Sequence, residues 1–330
     1  MMKKILAAAI VSAFAAPAFA ATSNVDIYGK LHVSASVYDD QLAGDDFQIS
    51  SNASRIGFKG AEDLGGGLSA IWQVEQTLRL EEAGGTFATR NSFVGLKGGF
   101  GTALIGRHDT PLKSVGRKVD LFGDTVADSR NVMGIASDTR PNNVVLYRTP
   151  SLSGLEFSAL YSNSTNGNTN NTPDATDDSL WSASATYTNG PLYLGLGYSD
   201  GDRFDNAGID REYTLAAGFT MGGFKLVGQY ATSQNNVADY DAWMLGGAYT
   251  IGNVVLKANY MKGETDAAGV PDAKQFTVGA DYKLSKRTSL YALYADGENV
   301  GFGFGAGGSD RVLPAVEDLS VVSLGMVHTF

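Results

Sequence analysis

The 330-residue chain has 41 Gly, 8 Pro and no Cys, with 43% hydrophobic residues and a mean hydropathy of -0.09. This is too apolar for a disordered chain and too polar for a bundle of membrane-spanning helices. The lack of cysteine excludes a disulfide scaffold, a thiolate metal centre and a cysteine nucleophile, and 35 acidic against 25 basic residues make nucleic acid a poor partner.

The chain begins "MMKKILAAAIVSAFAAPAFA". Lys3 and Lys4 precede an apolar run from Ile5 to Phe14, and Ala18-Phe19-Ala20 has the small-x-small form of a secretory cleavage site. The run is shorter than the roughly 18 to 20 residues of a spanning helix, so residues 1–20 are read as a signal peptide and 21–330 as the mature domain. Losing the two lysines leaves 23 basic against 35 acidic residues, a net charge of -12.

The mature chain then alternates. In "NVDIYGKLHVSASVY", Val25, Ile27, Leu31, Val33 and Val37 oppose Asp26, Lys30, His32, Ser34 and Ser36; "FKLVGQY" and "NVVLKANY" repeat the pattern. Period two predicts half-buried strands. Tight turns are expected at 60–67, 97–101 and 149–154, and again where "YTNGP", "FTMGG", "YTIGN" and "YKLSKR" recur every 30 to 33 residues. Longer polar stretches alternate with them near 39–51, 81–89, 108–142, 163–178, 200–209, 233–239, 263–273 and 297–317. Seven turns and eight loops imply sixteen strands. The terminal "SLGMVHTF" is itself a finished strand: Val322, Leu324, Met326, His328 and Phe330 alternate with smaller residues.

An even number of strands, short turns at one end and long loops at the other describe an all-β transmembrane antiparallel barrel of the outer membrane. A sandwich or propeller would not confine its tight turns to one end. A closed barrel has no spare edge, which explains a last residue in register.

These residues carry a family resemblance. "VDIYGKLHVS", "SRIGFKGAEDLGGGLSAIWQVE", "TRNSFVGLKGGFGTALIGR" and the terminal phenylalanine make the chain similar to the general, trimeric Gram-negative porins, especially the beta-proteobacterial type, along its mature length. The resemblance implies a homotrimer of water-filled pores for small hydrophilic solutes and ions. It also implies a third long loop, about 108–142, folded into the lumen with acidic residues facing a basic wall. Lys30, Arg55 and Arg90 match the wall cluster, Arg107 lies where a strand meets the loop, and Arg140 before Pro141 corresponds to a further member. Alternation turns Lys30 inward, turns Arg55 inward because Ile56 and Phe58 belong outside, and turns Arg90 inward because Phe93 looks outward. "VDLFGDT" resembles the constriction stretch and nominates Asp120 and Asp124, with Asp128 a further acid; Lys113, Arg117, Lys118 and Arg130 mix the field of the loop. In this family Phe330 would be read by the barrel-assembly machinery. Lipids and lipopolysaccharide would surround the barrel, and no cofactor is implied.

Other readings are weaker. "GFGFGAGG" has nucleotide-loop spacings but no following helix, and "SDGDRFDN" lacks the glycine and distal glutamate of a calcium loop, so no metal site is expected. An enzyme would be expected to recruit histidine, and His32, His108 and His328 are read as pore, loop and strand residues. A substrate-selective anion channel and a structural or adhesive barrel are the alternatives to a general diffusion pore.

Overall fold

The computed structural model describes residues 24–40, 44–81, 88–133, 138–164, 179–201, 209–235, 238–302 and 318–330; the expected signal peptide lies outside them. The strands are β1 Asn24–Asp40, β2 Gly44–Ser51, β3 Arg55–Gly65, β4 Leu68–Thr77, β5 Ser92–Gly98, β6 Gly101–Arg107, β7 Asn142–Arg148 and β8 Leu155–Ser164. They continue as β9 Leu180–Asn189, β10 Leu192–Asp200, β11 Ile209–Met221, β12 Phe224–Asn235, β13 Tyr240–Ile251, β14 Val254–Thr265, β15 Ala273–Lys283, β16 Thr288–Glu298 and β17 Leu319–Thr329. All ladders are antiparallel. The first strand pairs with the last, from Lys30↔Thr329 to Asp40↔Leu319, which closes the sheet.

Seventeen segments make sixteen barrel strands, because β2 and β3 both lie against the same edge of β1. The break between them falls at Asn52–Ser54, where Ala53 has a φ of 53°, in the left-handed region that interrupts a ladder. His32 secures the break. Its carbonyl accepts from Asn52 N at 2.7 Å, and its amide donates to Ser54 Oγ at 2.9 Å. The polar stretch 39–51 is therefore mostly strand rather than loop, a correction to the sequence reading. Phe47 and Ile49 continue the outward alternation there, 63% and 52% exposed. All seven expected tight turns are present.

The distribution of polarity is the reverse of a soluble domain. Ile27, Leu226, Leu245 and Leu324 on the outer face are about 60% exposed, whereas Ser36, Asn259, Gln275, Thr277 and Ser323 inside are buried. So much apolar surface is not left in water. Strands of this length, with a closed hydrogen-bond ladder, match a hydrocarbon slab. Phe219, Phe224, Tyr249, Tyr282 and Phe330 near the turns, and Trp181, Trp243 and Tyr294 toward the loops, form its interfacial belts.

Candidate functional site

Between β6 and β7 the chain turns inside the barrel. This connection, expected as a long polar loop, contains two short helices, α1 Pro111–Arg117 and α2 Arg130–Met133. Thr110 caps the first: its hydroxyl accepts from Lys113 N at 3.1 Å, and Pro111 supplies a preset φ at the first helical position. Leu112, Val115, Val119, Phe122, Val126, Val132 and Met133 are all buried. They bind the loop to the wall.

The wall receives them at glycines. A Cβ on Gly197 would lie 2.8 Å from Leu112 Cα, and one on Gly195 would lie 2.8 Å from Val115 Cγ1; on Gly246 it would meet Leu121 at 3.1 Å, and on Gly279 the Phe122 ring at 3.0 Å. Hydrogen bonds alternate with these contacts. Leu112 N donates to Ser182 Oγ at 3.2 Å, Tyr240 OH to Val132 O at 2.6 Å, Lys257 Nζ to Leu121 O at 3.1 Å and Gln275 Nε2 to Ala127 O at 3.0 Å. The loop thus spans the inner wall from β9 to β15.

Its two ends are tied together. Arg140 donates to Asn91 Oδ1 at 2.6 Å and pairs with Asp109 at 2.9 Å, while Lys113 lies between Asp109 at 3.4 Å and Asp138 at 3.2 Å. Burial opposes ionisation of Asp109, but Lys113 and Arg140 outweigh it and hold the carboxyl well below the usual range. Arg140 lies before the start of β7, so strand alternation does not set its direction. Arg107 donates to Thr89 O at 3.2 Å and to the Asn142 side chain, clamping the strand ends.

Three acids of the loop converge on one cation that sequence reading had counted only as part of a mixed field. The Arg117 guanidinium reaches Asp120 at 3.1 Å, Asp124 at 2.9 Å and Asp128 at 2.8 Å, and Arg130 also holds Asp128 at 2.9 Å. The side chains of Asp120 and Asp128 are 1% and 0% exposed. Burial disfavours charge on Asp128, yet Arg117 and Arg130 keep it far below the normal range; burial and the charge of Asp128 push Asp120 up to about 6. Asp124 has a φ of 61°, a conformation aspartate tolerates better than most residues. Burial raises its pKa, but Lys30 and Arg117 lower it by more.

Opposite lies the wall. Lys30 Nζ is 2.9 Å from Asp124 Oδ2, and Lys30 and Arg55 are cross-strand neighbours. Arg55 and Arg90 turn to Glu75, an acid not among the sequence candidates; their Nε atoms lie 3.8 and 2.5 Å from its carboxylate. Tyr28 OH donates to the same carboxylate at 2.9 Å, reaching it across Gly57, where a Cβ would collide with the ring. The premise used for Arg90 needs correction. Phe93 points inward with its partner Gln73 and packs on Leu104, Val144, Leu146 and Leu160. Arg90 precedes the start of β5 and is free of its alternation.

Comparison with known proteins places this architecture. Residues 7–301 match the Gram-negative porin family. The major outer membrane protein P.IB of Neisseria meningitidis serogroup B is 33% identical over 316 aligned positions, covering 87% of this chain and 91% of the relative. The P.IB protein of Neisseria gonorrhoeae is 29% identical over 357 positions, covering 94% and 97%. An anion-selective porin from Comamonas acidovorans superposes with a TM-score of 0.78 at 26% identity, over 93% of this chain and all of that one. Salmonella typhi OmpF shares the fold, with a TM-score of 0.72 at 18% identity over 93% and 97%. The chain belongs to the Gram-negative porin family and is an outer-membrane channel for the passive diffusion of small hydrophilic solutes.

Proposed function

We propose that the inserted loop, residues 108–142, and the facing wall form the selectivity constriction, and that it favours small anions. Lys30, Arg55 and Arg90 supply the basic side and Asp124 the acidic side, while Asp120 supports the loop from within and Arg107 and Arg140 hold its base. One observation carries this reading. Asp120, Asp124 and Asp128 of the loop are compensated by Arg117, Arg130 and Lys30, whereas among the described residues Arg55 and Arg90 share Glu75 alone as an ion-pair partner. The wall is left with positive charge facing water, and a transverse field of that sign sorts hydrated ions. The likeness to a porin described as anion-selective supports the same direction. Reversal potential in a planar bilayer under a salt gradient tests it: Arg55→Ser with Arg90→Ser should move permeability toward cations, and an unchanged potential at low salt would remove these residues from the constriction.

We infer the assembly from the same family likeness. The chain is a homotrimer, as one solved form of Vibrio cholerae OmpT is trimeric; its signal peptide is cleaved after Ala20, and Phe330 is read by the assembly machinery. Lipids and lipopolysaccharide contact its outer face, and it works as a channel rather than an enzyme, without a cofactor. A heat-modifiable oligomer in outer-membrane fractions is expected, and a soluble periplasmic monomer would contradict it.

A further inference from the structure

The last long connection, expected from its polarity to leave the barrel, begins by turning inward. Strand β16 buries Tyr291, Leu293, Ala295 and Gly297 on its lumenal face. Beyond Glu298 the chain doubles back over that face. Asn299 has a φ of 54°, a left-handed conformation that asparagine tolerates, and its Nδ2 donates to Asp272 O at 3.0 Å. Val300 and Phe302 are then 1% and 0% exposed. They fill the space that Gly297 leaves: a Cβ there would lie 3.1 Å from Phe302 Cζ and 3.2 Å from Val300 Cβ.

These two side chains lie beside an anchor of the inserted loop. Gly297 is the cross-strand partner of Gln275, and the Gln275 side chain holds the distal limb of the loop through both ends of its amide. Its Nε2 donates to Ala127 O at 3.0 Å, and its Oε1 accepts from Asn131 Nδ2 at 3.0 Å. Gln275 is fully enclosed. On the loop side, Val300 belongs to the apolar cluster that contains Val132 and Met133, and Phe302 to the one that contains Phe122, Val126 and Ala127. A hydrogen bond kept from water is electrostatically stronger than a hydrated one, so an apolar cover over Gln275 tightens its grip on the loop.

We propose that residues 299–302 form a clasp on the inserted loop. Phe302 and Val300 keep water from the bonds that Gln275 makes to Ala127 and Asn131, and they are positioning residues for the passage rather than contacts of the solute. The clasp rests on the reading of residues 108–142 as the constriction. It adds that the width there depends on a second connection, far downstream in the chain, acting through Gln275.

Swelling of proteoliposomes in uncharged sugars of increasing size reads the width of the passage independently of its charge. Phe302→Ala and Val300→Ala should each shift the size limit upward, and Phe302→Leu should keep the parent limit. Gly297→Val should raise the limit from the wall side, because its added carbons displace both side chains. Tyr294→Leu, at an exposed position on the outer face of the same strand, should leave it unchanged. Heat modifiability should persist throughout, which separates a moved loop from a failed barrel. Since Phe302 acts through Gln275, adding Phe302→Ala to Gln275→Ala should widen the passage no further than Gln275→Ala alone. Two shifts that add in full overturn the clasp. A shift with Gln275→Ala but none with Phe302→Ala, Val300→Ala or Gly297→Val overturns the clasp alone. No shift with any of the four overturns the constriction reading as well.

Discussion

The ammonium of Lys30 on the first strand lies 2.9 Å from a carboxylate oxygen of Asp124, 94 residues later on the inserted loop. Both side chains are less than a fifth exposed, and the pair joins wall to loop inside the barrel. Lys30→Gln removes a positive charge and leaves Asp124 with Arg117 and Arg130. Permeability should shift toward cations, with a stability loss of about 1 kcal/mol or less for a pair that water still screens. Adding Asp124→Asn should restore most of the original reversal potential. A double variant as cation-shifted as the single one would show that the two charges do not act on the same ions.

Arg117→Gln should be more disruptive than any wall substitution. It withdraws the common partner of three carboxylates, two of them enclosed, and an uncompensated buried charge costs about 3–5 kcal/mol. Loosening of the loop should broaden the distribution of single-channel conductance while the barrel remains heat-modifiable. A single sharp conductance equal to that of the parent protein would show that the loop holds its place without this hub.

The apolar contacts of the loop make a separate prediction. Phe122→Ala empties the place where the ring meets Gly279, and deletion of a buried aromatic costs about 3–5 kcal/mol of local packing. Conductance should rise as the loop relaxes from the wall. Gly279→Val should do the same from the opposite side, because the added carbons enter the space of the ring and approach the Ala292 carbonyl, 2.9 Å from a Cβ there. Unaltered conductance in both would locate the narrowing elsewhere.

Acid should strengthen anion preference within a defined window. Burial and the neighbouring Asp128 raise the Asp120 carboxyl to about 6, so between that value and the ordinary carboxylate range the folded protein binds a proton that the unfolded chain does not. Protonation there stabilises the fold and removes one negative charge from the loop. Asp109, Asp124 and Asp128, held below the usual range, stay ionised across this window. Their stabilisation is lost only in stronger acid. The chloride-to-potassium permeability ratio should therefore rise from pH 7 to pH 5, and Asp120→Asn should flatten the change. An equal slope in that variant would assign the titration to another group.

Deletion of Phe330 tests the seam. Its backbone exchanges two hydrogen bonds with Gly29, both 3.1 Å, each worth about 1 kcal/mol, and its ring lies over that glycine, where a Cβ would collide. Outer-membrane yield should fall while channels that do insert keep their conductance. Normal yield would reduce Phe330 to one interfacial aromatic among several.

The barrel was legible in the sequence because strand alternation, turn glycines and loop lengths are local properties repeated along the chain. A lipid-facing wall also permits few alternatives to that pattern. The same locality explains the errors. The stretch 39–51 looked like a loop because it is polar, yet its pairing with β1 decides that it is strand. Phe93 looked lipid-facing because it is apolar, yet its pairing with Gln73 turns it inward. The basic wall residues could be named from parity and resemblance, but their partners could not. Arg55 and Arg90 meet at Glu75, and Arg117 gathers Asp120, Asp124 and Asp128, only once strands and loop are closed in three dimensions. Alternation states which side of a sheet a charge occupies; which opposite charge it meets depends on the path of the loop, set by contacts such as Phe122 on Gly279 between residues far apart in the chain.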